Sequence, residues 1–151
     1  MEQKILGTNV VTQIGILVND IEKTARAYAD FLGVPVPPIQ MTDELAKAQT
    51  RYKGAPSTAR AKLAFFKIGP TLDLELIEPT DEPSTWRDDL NRKGEGFHHI
   101  AFVIEGMKEK IAKLEKHGMK LLQAAEYTGG RYAYIDANRD LKLVLELLEN
   151  D

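Results

Sequence analysis

The chain contains no cysteine, which excludes disulfides and thiolate metal sites and is compatible with a reducing cytosol. No apolar run approaches the ~20 residues that span a bilayer as a helix. The opening MEQKILGTNV has no signal-peptide core, so neither membrane insertion nor secretion is expected. An excess of positive charge is also missing. The formal net charge of −3 gives no electrostatic footing for nucleic acid. These absences point to a cytoplasmic protein whose partner is a small molecule or another protein. Its 151 residues, 43% hydrophobic and 28% charged, suit one compact soluble domain or two small modules sharing a core.

Histidine is scarce, with three in the chain, and two of them are adjacent in GEGFHHIAFVIEGMKEKIAKLEKHGM, residues 94–119. An earlier stretch, VTQIGILVNDIEKTARAYADFLG (11–33), scans the same way. With Gln13 set on His99, Ile14 falls on Ile100, Ile16 on Phe102, Ile21 on Met107 and Ala25 on Ile111. Each copy predicts an alternating strand followed by an amphipathic helix. In the first, Asn19 or Asp20 is the N-cap and Gly33 the stop; in the second, Gly118 is the stop. A second pairing sets LDLELIEP (72–79) on LVLELLEN (143–150), with Glu75 on Glu146 and Glu78 on Glu149. This alignment needs a different offset, so the first half carries extra residues, which lie in the Pro- and Gly-rich stretch 34–60. Each half reads as strand, helix and about three further strands. AQTRY, AKLAFFKIG and TLDLELIEP follow the first helix; MKLLQAAEYT, RYAYIDA and LKLVLELLE follow the second. The expected organisation is α+β, with a first module over 1–80, a connector helix over 81–96 capped by Ser84, and a second module over 97–151.

In LDLELIE the leucines Leu72, Leu74 and Leu76 share one face, and in LVLELLE so do Leu143, Leu145 and Leu147. Glu75 and Glu146 stand on the opposite faces between apolar neighbours. A strand buried on both sides reads as a near-continuous apolar run, and a carboxylate inside one needs a cation, an ion pair or an exposed edge. Gln13 and His99 hold matching places on the two first strands. Related halves packed about a pseudo-axis would bring Gln13, Glu75, His99 and Glu146 to one point. Three oxygens and an imidazole nitrogen suit one divalent ion such as Zn, Ni, Co, Mn or Mg, with positions left for water or substrate.

The strings GEGFHHIAF, DLELIEP and the ending LELLE resemble the vicinal-oxygen-chelate superfamily of the glyoxalase, bleomycin-resistance and dioxygenase type, over nearly the whole chain. Within it they are similar to methylmalonyl-CoA epimerases and glyoxalases. The resemblance implies two βαβββ modules in a curved mixed sheet around one metal, with ligands from the first and last strands of each module. Those places are Gln13, Glu75, His99 and Glu146. Epimerases of this kind usually have histidine at the position of Gln13; the order Gln, Glu, His, Glu is similar to that of eukaryotic-type glyoxalase I. Neither match is complete. Glyoxalase I's glutathione-binding surroundings are missing. So is the epimerase's His-Glu-Glu string, where this chain runs MTDELAKAQTRYKG with Glu44 as its nearest carboxylate.

The resemblance implies a metal-dependent epimerase or isomerase that removes a proton next to a carbonyl through an enediolate, with methylmalonyl-CoA as the default substrate. Alternatives are lactoylglutathione lyase (glyoxalase I) activity and a non-catalytic antibiotic-binding protein. Glu146 is the expected base, and Glu75 its counterpart on the other face. Arg51, Lys53, Arg60 and Lys62 are candidate contacts for the phosphates of an acyl-CoA or the carboxylates of a thiol adduct. The insert around them is long enough to cover a pocket. A homodimer is expected by resemblance. Strict alternation sets His98 on the face opposite His99, which makes it structural, and His117 lies at a helix end that suits its charge. Glu78 and Glu149 read as solvated strand ends. Parity leaves open whether Tyr132 and Tyr134 line the pocket or pack under helices.

Overall fold

A computed structural model describes residues 4–151. The alternation in VTQIGILV becomes strand β1, Gln13–Leu17. The helix α1, Ile21–Leu32, starts at Asp20, whose carboxylate accepts from the Lys23 N–H, and ends at Gly33 with φ 70°. The insert follows: β2 (Gln40–Met41), the one-turn helix α2 (Leu45–Ala48) and the hairpin β3 (Arg51–Tyr52) and β4 (Ala55–Pro56). Two long strands complete the first half, β5 (Ala61–Lys67) and β6 (Asp73–Pro79). The connector is α3, Thr85–Lys93, capped by the Ser84 hydroxyl, which accepts from the Arg87 N–H. The second half runs β7 (Gly96–Val103), α4 (Met107–Lys116), β8 (Lys120–Tyr127), β9 (Gly130–Asp136), the short α5 (Asn138–Leu141) and β10 (Val144–Asn150).

All ten strands join one mixed sheet in the order β2-β5-β6-β1-β7-β10-β9-β8-β3-β4, curled into a half-barrel with helices packed on it. This is the α+β architecture that the resemblance implies. β1 runs parallel to β6 and β10 parallel to β7, while β1 and β7 meet antiparallel at the centre. Across that seam Gln13 faces Ala101 and His99 faces Gly15, a pairing that maps onto itself when the halves are exchanged. On the outer face α1 packs Ile21, Ala25 and Ala29 against Leu74, Leu76 and Phe66. Equivalently, α4 packs Met107 and Leu114 against Ile135, Leu145 and Leu147. Each of the leucine, isoleucine, phenylalanine and methionine side chains among them contributes about 1.5–3 kcal/mol when fully removed from water. These contacts fix the register, because a one-residue slip would turn the leucines of β6 and β10 inward and their glutamates out. The inner face then receives Gln13, Glu75, His99 and Glu146.

Glu78 and Glu149 do more than meet solvent. Glu78 Oε1 accepts from the Ile21 N–H at 3.0 Å, at the start of α1. Glu149 Oε2 accepts from Gly106 and Met107 at 2.8 and 3.3 Å, at the start of α4. In both halves the end of the last strand satisfies the orphan N–H groups of that half's own helix. The insert corrects a second expectation. The sequence places AQTRY among the strands of the first half, but the edge of β5 is taken by Gln40–Met41, and Arg51–Tyr52 pairs with Gln123 and Ala124 of β8. Residues 42–50 therefore cross from one edge of the half-barrel to the other.

Glu78→Ala should lower stability by about 1 kcal/mol, a fall of roughly 2–4 °C in Tm by calorimetry. Glu149→Ala should also lower Tm. An unchanged Tm in both would show that the duplicated cap contributes nothing.

Candidate metal centre

Glu75, His99 and Glu146 converge on the inner face. His99 Nε2 lies 3.2 Å from Glu146 Oε1 and 3.4 Å from Glu75 Oε1, and all three residues are buried. One donor atom from each lies within 4.8 Å of the other two. Glu75 Oε1 and His99 Nε2 are buried without any hydrogen-bond partner. A carboxylate oxygen only accepts, and an imidazole nitrogen lone pair only accepts, so these groups together call for a cation or for protons. The residues present fit a divalent ion: nitrogen and oxygen donors, converging, with no competing cationic side chain among them. Gln13, half-buried on the same face, lines the same cavity as Glu75 and Glu146.

Gly15 makes room for the histidine. A Cβ on Gly15 would fall 2.1 Å from His99 Cε1 and 2.4 Å from Nδ1, so the imidazole lies directly over the bare Cα. A glycine inside QIGIL is the mark of such a close approach, and it was readable in the sequence. The strand β7 departs from strict alternation beside this point. Gly15 pairs with His99 but Ile16 pairs with Phe97, leaving His98 as the extra residue of a bulge. His98 accordingly does not face away from His99. The two Nδ1 atoms are 2.8 Å apart and the rings are perpendicular, which corrects the expectation drawn from alternation.

The cavity in front of the cluster has a volume of about 630 Å³. Tyr132, Tyr134, Phe65 and Trp86 line it, and Thr42, Asp43, Ala48 and Thr50 of the crossing segment form part of its wall. The Tyr134 hydroxyl accepts from Trp86 Nε1 at 3.0 Å. Burial, and then the charges of Glu146 and Glu75, push its pKa up, so it keeps its proton. Both tyrosines thus belong to the pocket, which parity had left open. The four basic candidates stand elsewhere: none of Arg51, Lys53, Arg60 and Lys62 lines the cavity. Lys53 pairs with Asp88, Arg60 with Glu44 and the Thr42 carbonyl, and Lys62 with Glu22 and Glu78. The cation in the wall is Lys67, 3.6 Å from Asp73.

Burial, the neighbouring Glu146 charge and then Asp73 raise the Glu75 pKa well above its usual 4.5. The folded metal-free protein therefore holds this proton at pH values where the unfolded chain has released it. Its stability contribution is present below about pH 4.5 and is lost as pH rises through the folded pKa. Metal-free protein should show a Tm that falls over this range, and Glu75→Gln should flatten the fall. A slope identical in both would remove Glu75 as its source.

Residues 12–134 match the Glyoxalase/Bleomycin resistance protein/Dioxygenase superfamily. That span includes Gln13, Glu75 and His99 and stops short of β10, which carries Glu146. The chain is 28% identical over 144 residues to YqjC of Bacillus subtilis (strain 168), covering 93% of this chain and 92% of that one. It is 25% identical over 100 residues to a 2-epi-5-epi-valiolone epimerase of Actinomyces sp, covering 66% and 54% respectively. Its fold is similar to the crystal structure of methylmalonyl-CoA epimerase from Mycobacterium tuberculosis, with a TM-score of 0.66 and 18% identity over 100% of this chain and 93% of that one. Sheet, duplicated halves and matched span agree: the chain belongs to the glyoxalase/bleomycin resistance protein/dioxygenase superfamily.

Proposed function

We propose that the chain is a divalent-metal-dependent epimerase or isomerase that moves a proton at a carbon next to a carbonyl. The observation that carries this reading is the buried convergence of Glu75, His99 and Glu146, in which Glu75 Oε1 and His99 Nε2 have no hydrogen-bond partner, with both glutamates at the wall of a cavity of about 630 Å³. Gln13, Glu75, His99 and Glu146 would hold the ion. A divalent cation there supplies Lewis-acid stabilisation of the negative charge that an enediolate places on oxygen.

The chain's own groups do the rest. Glu146 accepts the α-proton on a carboxylate oxygen, the electron pair of the C–H bond moving into the enediolate. In an epimerisation Glu75 would enter the cycle protonated and give its proton to the opposite face of the carbon while Glu146 keeps the one it took, and exchange with water would restore both. In an isomerisation a single carboxylate takes and returns it. Tyr134, whose hydroxyl accepts from Trp86 Nε1, adds a protonated phenol to the wall of the cavity. Aromatic walls and the segment 42–50 limit water around the reacting carbon. Methylmalonyl-CoA is the first substrate to test, supported by the fold likeness to methylmalonyl-CoA epimerase. Glyoxalase I activity is the second reading, favoured by Gln13 in place of a histidine on β1.

Purified protein with Co, Mn or Zn should exchange the α-proton of methylmalonyl-CoA for deuterium. Failure there, with thioester formed from a thiol–methylglyoxal adduct, would select glyoxalase chemistry; failure of both would sink both substrate readings. Glu146→Gln should lower turnover by about 100-fold or more with an unchanged circular dichroism spectrum. Full activity in that variant would dismiss Glu146 as the base. Gly15→Ala should displace the His99 ring and weaken Zn binding by about tenfold, equivalent to about 1.4 kcal/mol, in titration calorimetry. Unaltered Zn affinity would show that the ring does not need that space.

A further inference from the structure

The bulge at His98 builds a chain of buried polar atoms that begins on the connector helix. Asp89, on α3, accepts at Oδ1 from Arg92 Nη2 at 2.9 Å, while its Oδ2 is buried with no hydrogen-bond partner. That oxygen is 3.5 Å from His98 Nε2, and the Thr85 hydroxyl is 3.2 Å from the same nitrogen. At the other side of the ring, His98 Nδ1 meets His99 Nδ1 at 2.8 Å. The last atom of the chain, His99 Nε2, faces Glu75 and Glu146. His98 and His99 are at 1% and 0% exposure, so water does not intervene in choosing where the protons sit.

Two imidazole nitrogens in contact share one proton, which leaves two arrangements of the chain. In the first, His98 carries its proton on Nε2, toward Asp89, and accepts at Nδ1. His99 then donates from Nδ1 and presents a bare Nε2 to the two glutamates. In the second, every proton is shifted: Thr85 donates to His98 Nε2, His98 donates to His99, and His99 points an N–H at the place a cation would take. Asp89 decides between them. Its carboxylate can only accept, and in the second arrangement Oδ2 would face a lone pair. The 2.8 Å contact between the two Nδ1 atoms admits a single proton, so settling the Asp89 end of His98 also settles His99.

We infer that Asp89 and His98 are positioning residues that fix the Nδ1–H tautomer of His99 and so leave its Nε2 free to bind a cation. The inference rests on reading His99 as a metal ligand, and names what prepares it for that role. An outer carboxylate or carbonyl that orients a ligating imidazole typically changes metal affinity by about 10–100-fold when removed. Here the orientation is relayed through a second histidine that touches neither the other ligands' oxygens nor the cavity.

Nitrogen-15 NMR of the metal-free protein near neutral pH reads the tautomer directly, and titration calorimetry with Co(II) and Zn(II) reads its consequence. The wild type should show His99 protonated on Nδ1. Asp89→Leu should move the His99 proton to Nε2 and weaken both metals by at least about tenfold. If Asp89→Leu does not fold, Asp89→Asn, which keeps the shape but can donate as well as accept, should give a mixture of His99 tautomers. His98→Asn sets an amide oxygen near the position of Nδ1 and should keep metal affinity within about threefold, whereas His98→Leu should lose it as Asp89→Leu does. A merely structural role would lower Tm in these variants and leave tautomer and affinity alone. The inference is overturned by a wild-type His99 protonated on Nε2, by wild-type affinity in Asp89→Leu, or by an Asp89→Asn spectrum that matches the wild type. A wild type that binds neither metal but shows the Nδ1–H tautomer would defeat the metal reading and leave the relay standing.

Discussion

Two carboxylates and an imidazole nitrogen crowded together out of water are the constraint that the surrounding structure has to satisfy. Two carboxylates beside each other repel, and each also loses hydration, a cost of several kcal/mol that only a cation or bound protons offset. A loop would relax away from such an arrangement. Glu75 and Glu146 cannot, because each sits in the middle of a strand whose opposite side is anchored by leucines against a helix. His99 is confined by the bare Cα of Gly15 beneath it and by His98 beside it. The apolar outer shell thus does its most specific work at a distance, by denying the inner face any alternative register.

Duplication explains the symmetry of this arrangement and also its departures. Glu75 and Glu146 are equivalents, as are Glu78 and Glu149, the latter pair each tying a strand end to its own helix. Gln13 and His99 are equivalents that differ. The amide at Gln13 is neutral, as imidazole is, so the difference leaves the formal charge of the cluster unchanged while altering donor hardness. The walls differ too. Across the strand pairs, Phe65 stands opposite Glu75 and Tyr134 opposite Glu146. One carboxylate therefore has an apolar neighbour and the other a phenol.

Much of this was legible in the amino-acid order, because strand alternation is a strong signal when both faces are constrained. Leu74 and Leu76 outward with Glu75 inward follow from parity alone, and the duplicated strings give the mates in the second half. Parity failed at His98 because a bulge adds one residue without any local mark in FHHIAF. Gly15 across the seam was the available hint, and it is a hint only in combination with a bulky partner. The strand AQTRY pairs elsewhere for a different reason. AQTRY has strand composition, but the partner it pairs with lies in the other half, and two-residue strands leave no periodicity to read. Asp89 and Thr85 were invisible for the same cause: a polar residue on a connector helix acquires meaning only from what the fold sets against it.

The segment that leaves β2 and joins β8 through β3 has a topological consequence. The halves share the central β1–β7 seam, and the first half also lends a strand to the far border of the second. A repeat of this kind, if it ever existed as two separate polypeptides, can no longer be parted by severing the connector alone. Each fragment would keep a seam lacking its mate, and the first would trail a hairpin whose docking edge belongs to the other piece. The doubled unit is stitched across its halves at two places, the central seam and this far border.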